Sequence, residues 1–580
     1  MGSHRQLDLT GSASARRRII FAVVLLLWLS RYPLLGFTQI PPLTDYVIRI
    51  RQLFEEKRWD DLVQEVESNS ARGVEIDYYY GSALAQLGRL DQARIALLAG
   101  RVLQPNDKRF PIELGGVAFK QKRYAEAARW LRRALRLEPS DSYGNDFLAT
   151  VYFLQGNLEA ALKYWNLFAK PQIENVRVEP KLRIDPALLD RAFAFAPAST
   201  MLLRDFLTTQ TRVSGLGIFP TYRFRLDARD DGKFDAAFDA QERNGWGNTK
   251  WEALLSIFRG ALYQTIYPEY FNLGRSATNI SSLVRWDTPK RRLRASLSAP
   301  RRQNPKYRYQ VGLDLRNENW ELRNSFKGTG TQFGALNLRR EAINAGIVSF
   351  SDGSWSWSTG AELSYRDYRN VSWGSALPPN VLMKGYQLKQ LAQLDYELKR
   401  VPEARFESQA SLTSEAGAIW SSPAKSFEKL QGSVTAYWYP QMNGDDYAMQ
   451  GQIRAGKTVG TVPFDELFML GLERDNVLWM RAHIGTHDGR KGSAPLGRNY
   501  FLLNWEIDKD IYNNGFFSVK LSPFLDAGKS TDPSPGLGSR RWLLDTGAQV
   551  KFRILGVGAT FVYGKDLRSG INAFYATAGQ

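Results

Sequence analysis

The sequence contains no cysteine and only three histidines among its 580 residues. The first absence excludes thiol catalysis, thiolate zinc sites and disulfide scaffolds, and the second leaves little room for imidazole chemistry. Long apolar runs are scarce as well. The one long uncharged run extends from Ile19 to Leu29, which excludes a polytopic helical membrane protein. The sequence also lacks a nucleophile elbow, a phosphate-binding loop and a zincin motif, so we predict no catalytic residue, cofactor site or metal ligand and no enzyme activity.

Basic residues outnumber acidic ones, with 77 Lys and Arg against 59 Asp and Glu and a formal net charge of +18. Such an excess can indicate nucleic acid, an anionic lipid surface or solubility alone. The basic residues are spread along the chain without a block of like charge, so nucleic acid is not expected as a partner. The 16 Trp, 26 Tyr and 31 Phe supply too much apolar surface for disorder to dominate.

Residues 1–40 are typical of an export segment. Three arginines, Arg16 to Arg18, precede the apolar run Ile19–Leu29. A positive segment before an apolar run of this length fits a secretory signal better than a spanning helix, which needs about 20 apolar residues. No clear cleavage pattern follows, so a retained signal-anchor with its apolar segment continued to Phe37 remains the alternative.

Residues 45–172 repeat with a period of 34 residues. One column of larger side chains and one column of small ones occupy equivalent positions in three successive units: Leu90, Tyr124 and Leu158, then Ala93, Ala127 and Ala161. The spacing resembles the tetratricopeptide repeat, an all-α helix-hairpin unit of 34 residues. The resemblance implies a groove, formed by these columns, that binds a client or a periplasmic protein. A spacer that only holds other parts in place is the alternative.

Residues 173–245 predict a small α+β module. An alternating run at Glu174–Glu179 indicates a strand, and Asp185 before Pro186 indicates the start of a helix. A second helix follows, and then two alternating runs are joined by Asp230-Asp231-Gly232, a hairpin signal. This order resembles a polypeptide-transport-associated (POTRA) module, which implies a periplasmic position before an outer-membrane barrel and strand pairing with clients. An unrelated α+β linker domain is the alternative.

Residues 246–580 are predicted to form the last domain, and from about Asn279 onward they consist of alternating runs of roughly ten residues between Gly, Pro, Asn and Asp turns. Tyr309, Val311 and Leu313, for example, alternate with polar or charged residues. Runs that end in aromatic residues and carry charges on the hidden face are typical of a barrel with lipid outside and water inside. The sequence therefore predicts a C-terminal transmembrane antiparallel β-barrel of about 16 strands in a Gram-negative outer membrane, with outer-membrane lipid around it.

The last part of the chain carries four motifs in a fixed order. They are Phe464–Gly471, Trp479–His483, Asn504–Glu506 and Phe524–Gly528. This order resembles the surface-antigen barrels of the BamA/TamA outer-membrane assembly superfamily. The resemblance implies an extracellular loop that folds into the barrel lumen and is locked there by an arginine paired with acids on the wall.

Carried over by position, the lock consists of Arg481, Asp526 and Glu506. The alternation of residues along each strand supports this assignment. The two acids alternate with apolar neighbours and so point to the lumen, where an arginine can make a bidentate pair. The family's glycine and aromatic residue after the arginine are replaced here by Ala482 and His483, so a different loop tip is expected.

Together the resemblances imply an outer-membrane factor that assembles, inserts or translocates polypeptides without a cofactor. Client strands would pair with the edge of the module and with a weakly closed barrel seam. An export pore for a secreted polysaccharide is the alternative, since such exporters also place tetratricopeptide repeats before a barrel. That alternative does not require the module or the motifs around Arg481 and Asp526. A passive surface-antigen barrel is a third interpretation.

Overall fold

The computed structural model describes residues 43–69, 71–323, 331–374, 379–421, 423–441, 446–514, 517–531, 537–539, 541–554 and 557–579. The predicted export segment at residues 1–40 lies outside these described residues. Within them, no helix has the length and apolar character needed to span a membrane. The chain divides into two compact units, and the boundary falls between Pro139 and Ser140.

The first unit consists of helix hairpins. Its described helices are α1 (Leu43–Glu55), α2 (Trp59–Ser68), α3 (Val74–Gln86), α4 (Leu90–Leu103), α5 (Arg109–Lys120) and α6 (Tyr124–Leu137). Glycines recur where the two helices of a hairpin cross. A Cβ atom at Gly81 would lie 2.6 Å from the side chain of Leu97, and one at Gly115 would lie 3.0 Å from that of Leu131. The 34-residue period therefore reflects close helix packing, and the prediction of helical repeats is confirmed.

The two columns of the predicted groove differ in burial. Ala93, Ala127 and Ala161 are fully buried inside their hairpins, where small side chains allow the helices to approach. The larger residues of the other column are only partly buried: Leu90, Tyr124 and Leu158. The alanines hold each hairpin together, and a groove that contacts a partner stays a prediction.

The second unit begins with the hairpin α7 (Ser142–Leu154) and α8 (Leu158–Trp165), followed by the small α+β module. The module contains β1 (Gln172–Glu179), α9 (Pro186–Ala192), β2 (Ser199–Thr200), α10 (Leu203–Leu216), β3 (Thr221–Ala228) and β4 (Phe234–Gln241). The strand order is β2-β1-β4-β3, with β1 parallel and β3 antiparallel to β4. This confirms the predicted α+β module and leaves β3 at one edge of its sheet.

After α11 (Lys250–Phe258), the rest of the chain is a large antiparallel sheet rolled into a barrel. Its first strands are β5 (Thr265–Ile266), β6 (Glu269–Leu273), β7 (Thr278–Arg285), β8 (Lys290–Arg301), β9 (Asn304–Arg323), β10 (Gln332–Ser349), β11 (Trp355–Trp373), β12 (Gly385–Val401), β13 (Phe406–Trp420), β14 (Lys425–Trp438) and β15 (Tyr447–Gly460). Four short strands follow: β16 (Phe468–Met469), β17 (Thr486–His487), β18 (Arg490–Lys491) and β19 (Leu496–Gly497). The last strands are β20 (Asn499–Asn513), β21 (Phe517–Thr531), β22 (Leu543–Ile554), β23 (Val557–Asp566) and β24 (Asn572–Gly579).

Consecutive long strands pair with each other, and β15 pairs with β20 across the segment that carries the short strands. Both β5 and β6 pair with β7, so they form one strand interrupted at Pro268. Counted in this way the described wall has about fifteen strands, close to the predicted sixteen and in agreement with the predicted fold class.

The two faces of the wall differ in chemistry. On β9, Tyr309 and Val311 point outward and are 45% and 48% exposed, whereas Asp314 and Glu318 point inward and are buried. Charged side chains that alternate with exposed apolar ones place the polar groups in the lumen. The inward-facing charges are therefore placed where they can pair with one another inside the lumen.

Candidate functional site: the lumenal loop

Residues 461–498, which join β15 to β20, fill the lumen and are here called the lumenal loop. Many of its apolar side chains are almost completely buried, among them Phe464, Leu470 and Met480. The ring of Phe464 packs edge-on against Trp320 of the wall, with 5.0 Å between the ring centroids. Two short pairings, β16 with β19 and β17 with β18, give the loop its own structure. Buried side chains of the loop thus form a packed core inside the barrel.

Arg481 of the lumenal loop lies against Asp526 on the wall strand β21. The Nη2 atom donates to Oδ1 at 2.6 Å and Nε donates to Oδ2 at 2.9 Å, so the pair is bidentate. The backbone N–H of Arg481 also donates to Asp526, at 3.0 Å. Asp526 is fully buried and Arg481 is 4% exposed. A charge pair this deep is poorly screened, so removing one partner costs far more than at a surface.

Glu506 completes this contact from the neighbouring strand β20. Its Oε2 atom accepts from Nη1 of Arg481 at 2.5 Å. Asn504, two residues earlier on the same face, donates to Asp526 Oδ1 at 2.7 Å. The alternation of strand residues brings both groups to the lumen, as the sequence predicts. The structure thus brings the three predicted residues together in what we call the Arg481 anchor, and its role as a lock stays a prediction.

Ala482 and His483 make a second contact with the wall. The backbone N–H of Ala482 donates to Oδ2 of Asp545 at 2.7 Å, and Nδ1 of His483 lies 3.0 Å from Oδ1 of the same residue. Nε2 of His483 lies 3.8 Å from Asp566. The residues that depart from the family motif therefore tie the loop to β22 and β23. Sequence reasoning named these residues only as a departure and missed their partners.

The same histidine belongs to a group that has the composition of a cation site. Ligand atoms of His483, Asp545 and Asp566 all lie within 4.8 Å of one another. Asp566 also accepts a hydrogen bond from the Ser569 hydroxyl, at 2.5 Å. These contacts suit a hydrogen-bonded anchor. His487, the other histidine of this loop, pairs instead with its neighbour Asp488.

A third contact, which sequence analysis missed, lies around Glu466 of the lumenal loop. Its carboxylate lies 3.2 Å from Nζ of Lys389 and 3.3 Å from Nζ of Lys429. Nη2 of Arg340 lies at 3.3 Å, and Nη2 of Arg366 at 3.7 Å. All of these residues are buried. The bases come from β10, β11, β12 and β14, so this Glu466 anchor spans a wide arc of the wall.

A fourth contact joins the lumenal loop to the strands at the start of the barrel. Asp475 lies 2.8 Å from Nη1 of Arg285 and 2.7 Å from Nη1 of Arg292. Lys491 lies 2.7 Å from Glu318. With these pairs, the loop is held by ion pairs to β7, β8 and β9 as well. A sequence signal existed on the wall, because Arg285, Arg292 and Glu318 occupy the lumen-facing phase of their strands.

Comparison with known proteins gives one family match and several structural neighbours. The tetratricopeptide repeat model matches residues 112–141, which confirms the repeat predicted there. No curated protein matches the chain. Among solved structures, BamA from Haemophilus ducreyi lacking POTRA domains 1-3 is 11% identical, with a TM-score of 0.41, over 70% of this chain and 84% of that one.

Two further neighbours are CdiB proteins. CdiB from Escherichia coli is 13% identical, with a TM-score of 0.46, over 71% of this chain and 75% of that one. CdiB from Acinetobacter baumannii is 12% identical, with a TM-score of 0.41, over 71% and 73%.

Proposed function

We propose that this protein is an outer-membrane barrel that assembles, inserts or translocates polypeptides, with its N-terminal domains in the periplasm. The observation that carries the proposal is the Arg481 anchor. An arginine of a lumen-filling loop is held by Asp526 and Glu506, the wall residues that the BamA/TamA resemblance implies. No cofactor takes part in this mechanism, because pairing of backbone groups and refolding of strands need only the chain itself.

A membrane location is supported by the outer face of the wall. Large aromatic side chains lie at strand ends and are exposed there: Trp355, Trp420, Trp438 and Trp542. Tryptophan is enriched at membrane interfaces, where its ring is partly in lipid and its N–H partly in water. Outer-membrane lipid would thus surround the wall.

The seam between the first and last strands offers a place for client strands. The strand order puts β24, eight residues long, beside β5, which has only two residues. A hydrogen bond from the Tyr263 hydroxyl to the Ala576 carbonyl, 2.8 Å long, joins the two edges. In the strand order only the β5 segment of the interrupted β5–β6 strand adjoins β24, so most of the edge of β24 lies beyond it and is available for β-augmentation. The edge strand β3 of the module offers a second such edge.

The polysaccharide-pore alternative requires an open lumen. In the structure, the lumenal loop occupies that space with buried side chains and ion pairs on several sides. A passage for glycan would require all of these contacts to break, whereas strand pairing at the seam leaves them in place. The filled lumen thus favours a polypeptide function carried out at the seam, such as assembly or insertion, over export of a glycan.

Photocrosslinking at the seam tests the proposal. Phe574, on the edge strand β24, is replaced by a photoreactive phenylalanine analogue, and Leu363, an exposed outward residue of β11, serves as the control position. We expect crosslinks to other polypeptides at Phe574 and few at Leu363. Equal crosslinking at both positions, or co-purification of glycan synthases in place of protein clients, would contradict the proposal.

The repeats are proposed to recruit a client or a periplasmic protein. Because residues up to Pro139 form a compact unit of their own, deletion of residues 45–139 is expected to leave a folded barrel that still migrates faster on unboiled gels. The deleted chain should lose its function. Full activity after this deletion would show that these repeats act only as a spacer.

A further inference from the structure

A cavity of about 890 Å³ lies between the small module and the rim of the barrel next to it. Helices α9 and α10 form one side, and the β8–β9 and β10–β11 turns form the other. The cavity is strongly basic, since six cationic side chains line it: Arg191, Arg204, Arg212, Arg301, Arg302 and Lys306. Only two carboxylates, those of Asp205 and Asp352, stand against them. This excess of positive charge points to an anionic ligand.

Arg212 is the buried member of this set. It is 9% exposed, and its Nη2 atom donates to the Ser351 carbonyl at 3.1 Å. Its Nε atom is buried and has no hydrogen-bond partner among the described residues. Burial lowers the pKa of Arg212. A guanidinium N–H left unpaired away from water is costly, so an acceptor oxygen in the cavity would stabilise it.

The depth of the cavity relative to the membrane is shown by the aromatic residues around it. Tyr307, which shares the outward phase of β9 with the exposed Tyr309, is part of the lining. The guanidinium of Arg301 lies 6.0 Å from the ring centroid of Tyr309. Trp355, at the start of β11, is also exposed on the outside. Such an aromatic belt marks the level of lipid headgroups, so the cavity lies at headgroup depth.

We propose that this cavity binds the phosphate of an anionic phospholipid headgroup in the periplasmic leaflet. The inference rests on the proposed function only in that the barrel spans a membrane. Arginines suit this ligand because the guanidinium donates to phosphate oxygens in a bidentate manner. A bound headgroup would contact α10 and both barrel turns at once, and thereby fix the module at the rim.

The test uses the full chain in detergent, titrated with short-chain phosphatidylglycerol and followed by native mass spectrometry. The cavity variant combines Arg302→Asn with Lys306→Gln, which removes two exposed charges. Asparagine is chosen because Arg302 has a φ of 48°, a left-handed conformation that asparagine tolerates. The matched control combines Lys57→Asn, at a φ of 57°, with Lys181→Gln, since both lysines are exposed and outside the cavity.

The cavity variant should bind phosphatidylglycerol at least about tenfold more weakly. Each cation near an anionic headgroup contributes a comparable amount to the binding free energy, and this variant lacks two of them. The control should bind like the unmodified chain. Arg212→Gln should weaken binding as well, and phosphatidylcholine should bind less tightly than phosphatidylglycerol to the unmodified chain.

Two results would overturn the proposal. One is equal phosphatidylglycerol affinity in the cavity variant and the control, and the other is inorganic phosphate binding as tightly as the lipid, which would assign the cavity to a free anion. Faster migration of the unboiled protein on gels reports the barrel independently. If the protein is heat-modifiable but the lipid test fails, the result counts against the cavity as a lipid site. If the protein is not heat-modifiable, the result counts against the proposed function.

Discussion

The Arg481 anchor and the Glu466 anchor hold the same loop with opposite arrangements of charge. At the first, the loop supplies one base and the wall supplies the acids Asp526 and Glu506. At the second, the loop supplies the acid Glu466, and four wall strands supply bases. The first is a compact contact with two neighbouring strands, whereas the second draws together distant parts of the barrel. The difference predicts two roles for the loop, a local lock at Arg481 and a brace across the lumen at Glu466.

The effect of losing one residue from each network follows from this geometry. Around Glu466, wall acids also take part, since Lys389 lies 2.8 Å from Glu415 and Arg340 lies 2.5 Å from Glu362. Loss of the Glu466 carboxylate would leave its four buried cations close together, with Glu362, Glu415 and the neighbouring loop acid Asp465 as their remaining counter-charges. At the Arg481 anchor, loss of one partner leaves acids that retain other donors, such as Asn504 at Asp526. We therefore expect the brace to be the more sensitive of the two.

The largest effect is expected for Glu466→Ala. It should lower the free energy of unfolding by about 3–5 kcal/mol, because several buried cations lose their shared counter-charge. The measurement is a urea titration of the inserted protein, followed by the mobility of the unboiled band. Glu428→Ala, which removes an exposed acid of β14, is the control and should change the free energy by less than about 0.5 kcal/mol. Equal effects of the two substitutions would show that Glu466 does not brace the loop across the lumen.

A smaller effect is expected for His483→Ala, beside the Arg481 anchor. The substitution leaves Asp545, which is fully buried, with the Ala482 N–H but without the imidazole. A loss of about 1–3 kcal/mol in the free energy of unfolding should follow, since a buried acceptor loses one partner. His487→Ala, at a partly exposed position, is the matched control and should have little effect. A His483→Ala protein as stable as the control would show that the imidazole does not help to hold the loop tip.

The sequence predicts the Arg481 anchor but not the Glu466 anchor for a physical reason. Arg481, Glu506 and Asp526 lie within 46 residues, and the two acids belong to the neighbouring strands β20 and β21, so a motif and the two-residue phase of a strand suffice to place them. The bases around Glu466 come from β10 to β14, and only the register of the folded barrel brings them to one carboxylate. The helical repeats could be predicted because each unit repeats its own packing. The basic cavity could not, because it joins α10 to turns that are far away in the sequence, as Arg212 and Ser351 are, 139 residues apart.

The smallest effect is expected for Lys551→Ala, which removes the other cation at Glu506. Its Nζ atom lies 2.9 Å from Glu506 and 2.8 Å from Asp508, but it is partly exposed to lumenal water. Because screening by water weakens the pair, the free energy of unfolding should fall by about 1 kcal/mol or less. The same titration measures it. A larger loss of unfolding free energy than that of His483→Ala would mean that Glu506, and not Asp526, is the main partner in the Arg481 anchor.

The most direct test of the central claim is a double-mutant cycle on Arg481 and Asp526. Unfolding free energies are measured for Arg481→Ala, for Asp526→Ala and for the double variant, with accessibility of a cysteine introduced at Ser493 as a readout of loop position in this cysteine-free chain. A lock predicts that each single variant loosens the loop and that the double variant is little worse than either, with a coupling energy of about 1–3 kcal/mol. Single effects that simply add, with an unchanged loop, would contradict the account.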